Sequence, residues 1–453
     1  MESVAAELLL RTPCRLHPSM HWTRRELLRT FAGAAVLSVA RKGFAWNLLL
    51  RHEDRDGTSD ARLLDELQRA SFDFFWNEAD PKTGLVRDRA NAGGGDTRRM
   101  GSIAATGFGL AAMCIAHRRK YMPGDEIVER VRRTLRFLAY ESPHIHGFFY
   151  HYADLRNGAR FAGSEISPID TAILLCGVLT CREYFQDAEI QKVAALIYER
   201  VEWPWALNGG NTLALSWTPE LGFNPLRWDS FSECTMLYLL AIGSPTHPIS
   251  PLCWRAVERP WLVYQQYRYI SSPAPIFVHQ FPHAWFDFRN RRDEFTNYFE
   301  NSVAAVRAHR QFCLNLKPQF HSYSENLWGI TASDSCNGYV AWGGPPLQGP
   351  VDGTVVPAAA AGSLPFLFRE SVAVLRNLRQ QYGNQIWKRY GFVDAFNPLT
   401  GWVDNDVVGI DVGISLLMAE NARSQFVWNT FMQNSEAQVA MQKCGFHSRF
   451  KLL

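Results

Sequence analysis

Little net charge is left in this sequence. Forty-seven Lys and Arg residues stand against 44 Asp and Glu, a formal charge of +3. No basic run interleaves with aromatics, which argues against a nucleic-acid surface. The nine cysteines (Cys14, Cys114, Cys176, Cys181, Cys234, Cys253, Cys313, Cys336 and Cys444) include no C-x-x-C pair. Most sit in apolar helical patterns, so buried thiols are expected rather than a disulfide frame or a zinc site. No G-x-S-x-G nucleophile elbow is present. The Gly/Pro stretch 343–353 lacks the Lys-Ser/Thr ending of a phosphate-binding loop, which argues against a nucleotide ligand. A hydrophobic fraction of 47% with 20% charge excludes a disordered chain.

Aromatics are plentiful: 29 Phe, 15 Tyr and 15 Trp. Most are expected to fill the core, with several Trp residues left as platforms in an aromatic-lined cleft.

The N-terminus reads as an address. Thr23-Arg24-Arg25-Glu26-Leu27-Leu28-Arg29 precedes the short apolar run Phe31 to Ala40. A twin arginine before a weakly apolar segment of small residues resembles a Tat export signal. The run is far short of the ~20 apolar residues of a spanning helix, so no stable membrane anchor is expected. An incidental amphipathic leader is the plainer alternative. Residues 1–55 are therefore set apart from the fold.

From about residue 60 the pattern is helical. Apolar helices are expected over about 101–119, 125–140, 168–186, 188–202, 231–242, 251–270, 293–315, 358–382, 411–422 and 425–443. Between them run long aromatic connections at 80–100, 142–165, 203–230, 271–292 and 320–357, of a length that is usually functional. Length alone would allow about three domains, but no linker divides the body. The expectation is one all-α domain over 56–453, a helical toroid with a cleft built by loops at one end. A monomer is expected.

Acids near helix starts are the informative residues. Ser167-Pro168 reads as an N-cap with Pro at the first helical position. Asp170 then lies in the first turn and Glu165 on the loop before it. Glu233 follows Ser230 by three residues, which fits a capping box. Flanked by Trp228 and Phe231, it is also placed to be a general acid of raised pKa. Asp411 opens a further apolar helix, so capping is its plain reading too. His279, His283 and Asp287 would form a metal face on a straight helix. Pro282 argues against that helix, and a loop presenting His283, Trp285, Asp287 and Arg289 to a polar ligand is expected instead. No metal or cofactor is expected. Many carboxylates, many Trp residues and loop clusters together are the chemistry of glycosidic cleavage.

Several blocks carry a family resemblance: LLDELQRASFDFFWNEADPKTGLVRDR (63–89), SEISPIDTAILLCGVLTCREYF (164–185), FSECTMLYLLAIGSPTHPI (231–249), FVHQFPHAWFDFRNRRDEFTNYFENS (277–302), YSENLWGITASD (323–334), DGTVVPAAAAGSLPF (352–366) and GFVDAFNP…GWVDNDVVGIDVGISLLMAEN (391–421). Over about 60–447 the chain resembles the bacterial putative glucoamylase family, which includes endo-β-1,2-glucanases of glycoside hydrolase family 144. The resemblance implies an (α/α)6 toroid, a metal-independent enzyme, and anomer-inverting attack on a glucan, most of all β-1,2-glucan. It matches the pocket carboxylates to Glu165, Asp170 and Glu233, with Asp88 as an outer member. Where relatives often carry a Tyr-Asn-Glu-Ala block, this chain has Phe231-Ser232-Glu233-Cys234.

The expected assignment is Glu233 as general acid and Glu165 or Asp170 as base. Trp228, Trp285, Trp328 and Trp402 would be sugar platforms. His283, Asp287, Arg289 and Glu325 would bind sugar hydroxyls, and Asp88 and Asp411 would line the pocket. Competing expectations are a transglycosylase, an α-glucan hydrolase of the same fold, and a non-catalytic periplasmic glycan-binding protein.

Overall fold

A computed structural model describes residues 57–347 and 349–448. The twin-arginine segment and Cys14 lie outside them. Helices come in chain order as α1 (Gly57–Asn77), α2 (Ile103–Arg119), α3 (Gly124–Tyr140), α4 (Pro168–Tyr184), α5 (Ala188–Glu199), α6 (Cys234–Gly243), α7 (Phe277–Trp285), α8 (Tyr298–Asn315), α9 (Pro357–Ala361), α10 (Phe368–Asn377), α11 (Gly409–Ser424), α12 (Phe426–Phe431) and α13 (Ser435–Lys443).

Six of these form a closed inner ring. In it α2 packs on α4, α4 on α6, α6 on α7, α9 on α11 and α11 back on α2. The α7–α9 junction is bridged by Gln280 Nε2 donating to the Ala359 carbonyl at 2.9 Å. The inner helices are apolar all round because they face neighbours on every side: every residue from Ile103 to Ala116 is buried, as is every residue of α6 and α9. The more amphipathic α1, α3, α5, α8, α10 and α13 pack outside them. The last place in that outer layer, against α6, is filled by α13 from the far end of the chain. This is an (α/α)6 toroid.

The inner helices point the same way. Their C-terminal ends meet at one face, where Arg119 pairs with Glu420 at 2.6 Å and Asn421 Nδ2 donates to the Ala284 carbonyl at 2.8 Å. There α12 packs beneath α2, α4, α7 and α11 as a floor. Trp428 Nε1 donates to the His283 carbonyl at 2.5 Å.

At the opposite face, short antiparallel strands organise the connections: β1 (Val86–Arg87), β2 (Arg89–Asn91), β3 (Met100–Ser102), β4 (Tyr152–Asp154) and β5 (Asp406–Val408). Strand β3 pairs with β1 and β4, aligning Ser102 with Val86 and Tyr152, while Arg89 of β2 pairs with Val408 of β5.

Three expectations are corrected. The span 251–270 is not a long helix: Leu252–Ala256 is one short turn, followed by the hairpin Trp261–Tyr264 and Tyr267–Ile270. Its aromatic and β-branched residues suit a pleated pair, and Gln265 takes the left-handed turn position at φ 51. The span 358–382 divides into α9, α10 and a π-helical turn at Leu378–Tyr382. Helix α7, in contrast, continues through Pro282.

Candidate active site

The N-terminal face collects carboxylates because each inner helix presents unpaired N–H groups there. Local chain geometry places them. Ser167 caps α4, its hydroxyl accepting from Asp170 N at 3.3 Å, with Pro168 at the first position. Asp170 thereby enters the first turn, where Ser167 Oγ also donates to its carboxylate. The backbone of the site loops closes other helix starts: Ile103 N donates to the His151 carbonyl at 3.2 Å, and Gly409 N to the Asp88 carbonyl at 2.7 Å. The site is thus tied into the ends of α2 and α11.

One half of the site is Glu165, Asp170, His151 and Tyr152. His151 Nδ1 meets Glu165 Oε1 at 2.9 Å, and Nε2 faces Asp170 Oδ1 at 3.7 Å. The imidazole stacks on Tyr152 with centroids 3.8 Å apart. Burial by itself would lower the His151 pKa, but Asp170, Glu165 and Asp88 outweigh it and raise it to about 9. The His151 hydrogen bond holds Glu165 below the usual glutamate range. Burial pushes Asp170 up despite the same histidine. Two neighbouring carboxyls are thus shifted in opposite directions.

The other half is Asp334, Asp394, Asp404 and Asp411. Asp411 sits in the first turn of α11 and is buried. Asp394 accepts from Asp334 N at 2.8 Å. Burial pushes Asp394 and Asp411 upward, and the Asp411 charge adds to the rise at Asp394. Burial, with Asp394 and Asp334 nearby, pushes Asp404 up to about 8. Behind the pair lies a cavity of about 20 Å³ lined by Ser71, Tyr390 and Ser415 among others, room for one water.

Arg89 joins the halves. Its Nη1 reaches both oxygens of Asp334 at 2.7 and 2.6 Å, and its Nε donates to Asp88 at 3.0 Å. Tyr339 lies over its guanidinium at 5.9 Å. Asp334, Asp394 and Asp404 can bring one oxygen each within 4.8 Å of one another, the spacing of a hard-cation site among the described residues. Arg89 already answers part of that charge through its contact with Asp334.

The structure brings Glu165, Asp170, Asp88 and Asp411 together as the sequence suggested. Glu233 lies at the N-cap of α6, the inner helix next to α4, and is 8% exposed. Its capping-box reading is corrected: α6 starts at Cys234, and the hydroxyl that accepts from Cys234 N is that of Ser232, at 3.3 Å.

Several sugar-contact candidates lie elsewhere. Trp285 and Trp328 are fully buried, with Trp285 against Phe108 at 4.8 Å, so neither can be a platform. Trp228 is largely buried within a strand pair against Leu213, whereas Trp402 stays near the rim, half-buried on a hairpin with Asn397 two residues before Asp404. His283 is a core residue at the C-terminal end of α7, ringed by Phe288, Phe299 and Phe366 and touching Ser302. Burial lowers its pKa to about 3, so it stays neutral. Asp287 and Arg289 pair with each other near the floor, and Arg289 lies over Trp428 at 4.2 Å. The placement follows from helix direction: this segment ends α7, and the cleft is at inner-helix starts. Glu325 is exposed in a tight turn closed by Ser324 and Leu327.

Missed by sequence reasoning were His151, Arg89, Tyr152 and Asp404 and, as site residues, Asp334 and Asp394. The available signal was position: four of them flank β2, β4 and β5 in the matched blocks or just outside them.

Residues 225–435 match a family model described as "Putative glucoamylase". The chain is similar to that family over those residues. Similar proteins extend the likeness along the chain. The exo β-1,2-glucooligosaccharide sophorohydrolase of Parabacteroides distasonis is 28% identical over 432 residues, covering 85% of this chain and 58% of that enzyme. The chain thus spans less than two thirds of that relative. An endo-β-1,2-glucanase from Chitinophaga pinensis, solved with sophorotriose and glucose, has a TM-score of 0.80 at 25% identity, covering 86% of this chain and 99% of its own. A structure described as a putative glucoamylase from Bacteroides uniformis has a TM-score of 0.78 at 26% identity, covering 86% of this chain and 98% of its own.

Proposed function

We propose that this chain is a glycoside hydrolase that cleaves β-1,2-linked glucan with inversion at the anomeric carbon. The observation that carries this reading is the rim of carboxylates at inner-helix starts, with Glu165 held below the usual glutamate range by His151 and Glu233 at the N-cap of α6. Glycosidic cleavage requires an ionised base and a protonated acid. The relatives named as β-1,2-glucan enzymes support the substrate class.

In the proposed reaction Glu233 gives its proton to the glycosidic oxygen as the C1–O bond breaks. Water attacks C1 from the opposite face and passes a proton to Glu165. Asp170, Asp88 and Arg89 line the same rim and offer hydrogen bonds to sugar hydroxyls. The twin-arginine run before Phe31 supports export by the Tat route, and a monomer is the working assembly.

The test is product analysis on linear β-1,2-glucan beside starch and β-1,3-glucan. Wild type should release short β-1,2 oligosaccharides and Glu233→Gln none. Sophorose alone would mean exo action, and a ladder of sizes endo action. Starch cleavage would overturn the substrate. A fully active Glu233→Gln would move the acid to Asp170. No cleavage by folded protein would favour a binding protein.

A further inference from the structure

His151 has no part in the two-carboxylate scheme, yet its surroundings are built with care. Its backbone is held on both sides, N–H to the Glu165 carbonyl at 2.9 Å and C=O from Ile103 N at 3.2 Å. Its ring lies flat on Tyr152 at 3.8 Å. Each ring nitrogen faces a different carboxylate, Nδ1 to Glu165 at 2.9 Å and Nε2 to Asp170 at 3.7 Å. Nδ1 is within hydrogen-bond distance of Glu165, while Nε2 lies beyond that distance from Asp170 but within its field, and carboxylates on both sides of one ring favour the imidazolium. The charged groups facing it are Glu165, Asp170 and Asp88, while Arg89 acts on Tyr152.

We propose that His151 is a positioning residue, an imidazolium clamped between Glu165 and Asp170 that aims Glu165 and keeps it ionised as the base. This rests on the function proposed above. The clamp has a consequence for the reaction: attacking water meets a carboxylate whose second oxygen is occupied by His151, leaving one oxygen to accept the proton. The acid limb of activity, where Glu165 gains a proton, is then set by the clamp, while the alkaline limb belongs to Glu233, the acid.

Two measurements test it. In the first, kcat and KM of His151→Asn are followed from pH 4 to pH 10. The expected result is a kcat lower by on the order of tenfold, a KM within about twofold, and an acid limb of kcat/KM moved up by about one pH unit. A kcat loss with the acid limb unmoved would mean a merely structural role and overturn the proposal. In the second, the His151 ring resonance of the full chain is titrated by NMR, assigned by its absence in His151→Asn. It should stay protonated at pH 8 in wild type and lose its proton well below that in Glu165→Gln. Titration at the ordinary histidine value in wild type would overturn the clamp. The NMR result does not depend on activity. If wild type cleaves no glucan, the proposed function falls while the titration still decides the clamp.

Discussion

The crossing of α2 and α4 is the tightest contact in the inner ring, and Gly177→Ala tests what it does. A Cβ on Gly177 would meet the carbonyl group of Gly107, 2.7 Å from its carbon, and one on Gly107 would lie 2.6 Å from Leu174 Cα. Ordinary carbon contacts are ~3.5–4.0 Å, so the helices would have to part by about 1 Å. The obstacle is backbone and cannot rotate away. Overpacking a core costs ~1–3 kcal/mol and more when nothing yields, so about 4 kcal/mol is reasonable here. Replacing a helical glycine returns ~1 kcal/mol, leaving a net loss of about 3 kcal/mol. With an unfolding entropy of about 0.8 kcal/mol/K for some 390 residues, the melting temperature should fall by about 4 °C. Differential scanning calorimetry would measure it. Because α4 carries Asp170 at its start, kcat on the cleaved glucan should fall as well. A variant melting within about 1 °C of wild type would refute the argument that this crossing has no room.

Other perturbations give distinct results. Arg119→Met should destabilise by about 3 kcal/mol, because it strips the arginine from Glu420, whose side chain is wholly buried. Adding Glu420→Gln should recover much of that, as read from denaturant midpoints of the three variants. Asp404 has its pKa raised by burial to about 8. The folded state thus binds a proton the unfolded state has lost, and wild-type stability drains away as pH rises from about 4 to 8. Asp404→Asn should gain on wild type over that window by at most about 1.4 kcal/mol per pH unit, and a stability gap independent of pH would sink the idea. Trp285→Phe, in the core, should lower stability by about 1–3 kcal/mol and leave KM unchanged, whereas Tyr339→Ala, half-exposed above Arg89, should raise KM and leave melting within about 1 °C.

Much of the frame could be read in advance from short-range chemistry. Ser167-Pro168-x-Asp170 announces a cap in four residues, and the structure builds it. Apolar runs such as 168–181 need no long-range information to be called buried helix. The hairpin at 261–270 was hidden because apolar and aromatic residues suit either periodicity over so short a run. Trp285 and Trp328 were misread because tryptophan serves core and cleft alike; for Trp285 the direction of α7 decides. His151 and Asp404 carry no local signal. Their meaning arises when connections over 300 residues apart, such as 89–91 and 406–408, pair across the rim. A sequence shows acids at helix starts; the ring decides which of those starts share a face.

The last outer helix, α13, bears on how the molecule is made. It packs on α6, some 200 residues earlier, while α11 near the end packs on α1 at the start. A chain emerging from the ribosome therefore holds an open arc of helices until its final turns are delivered. The apolar flank of α6 stays uncovered until some 200 further residues have been made. Stopping the chain before Ser435 should leave an arc that seeks a substitute partner, and a soluble product is expected only once α13 is present. Closing the ring from its two ends makes completeness of the chain a condition for hiding its core.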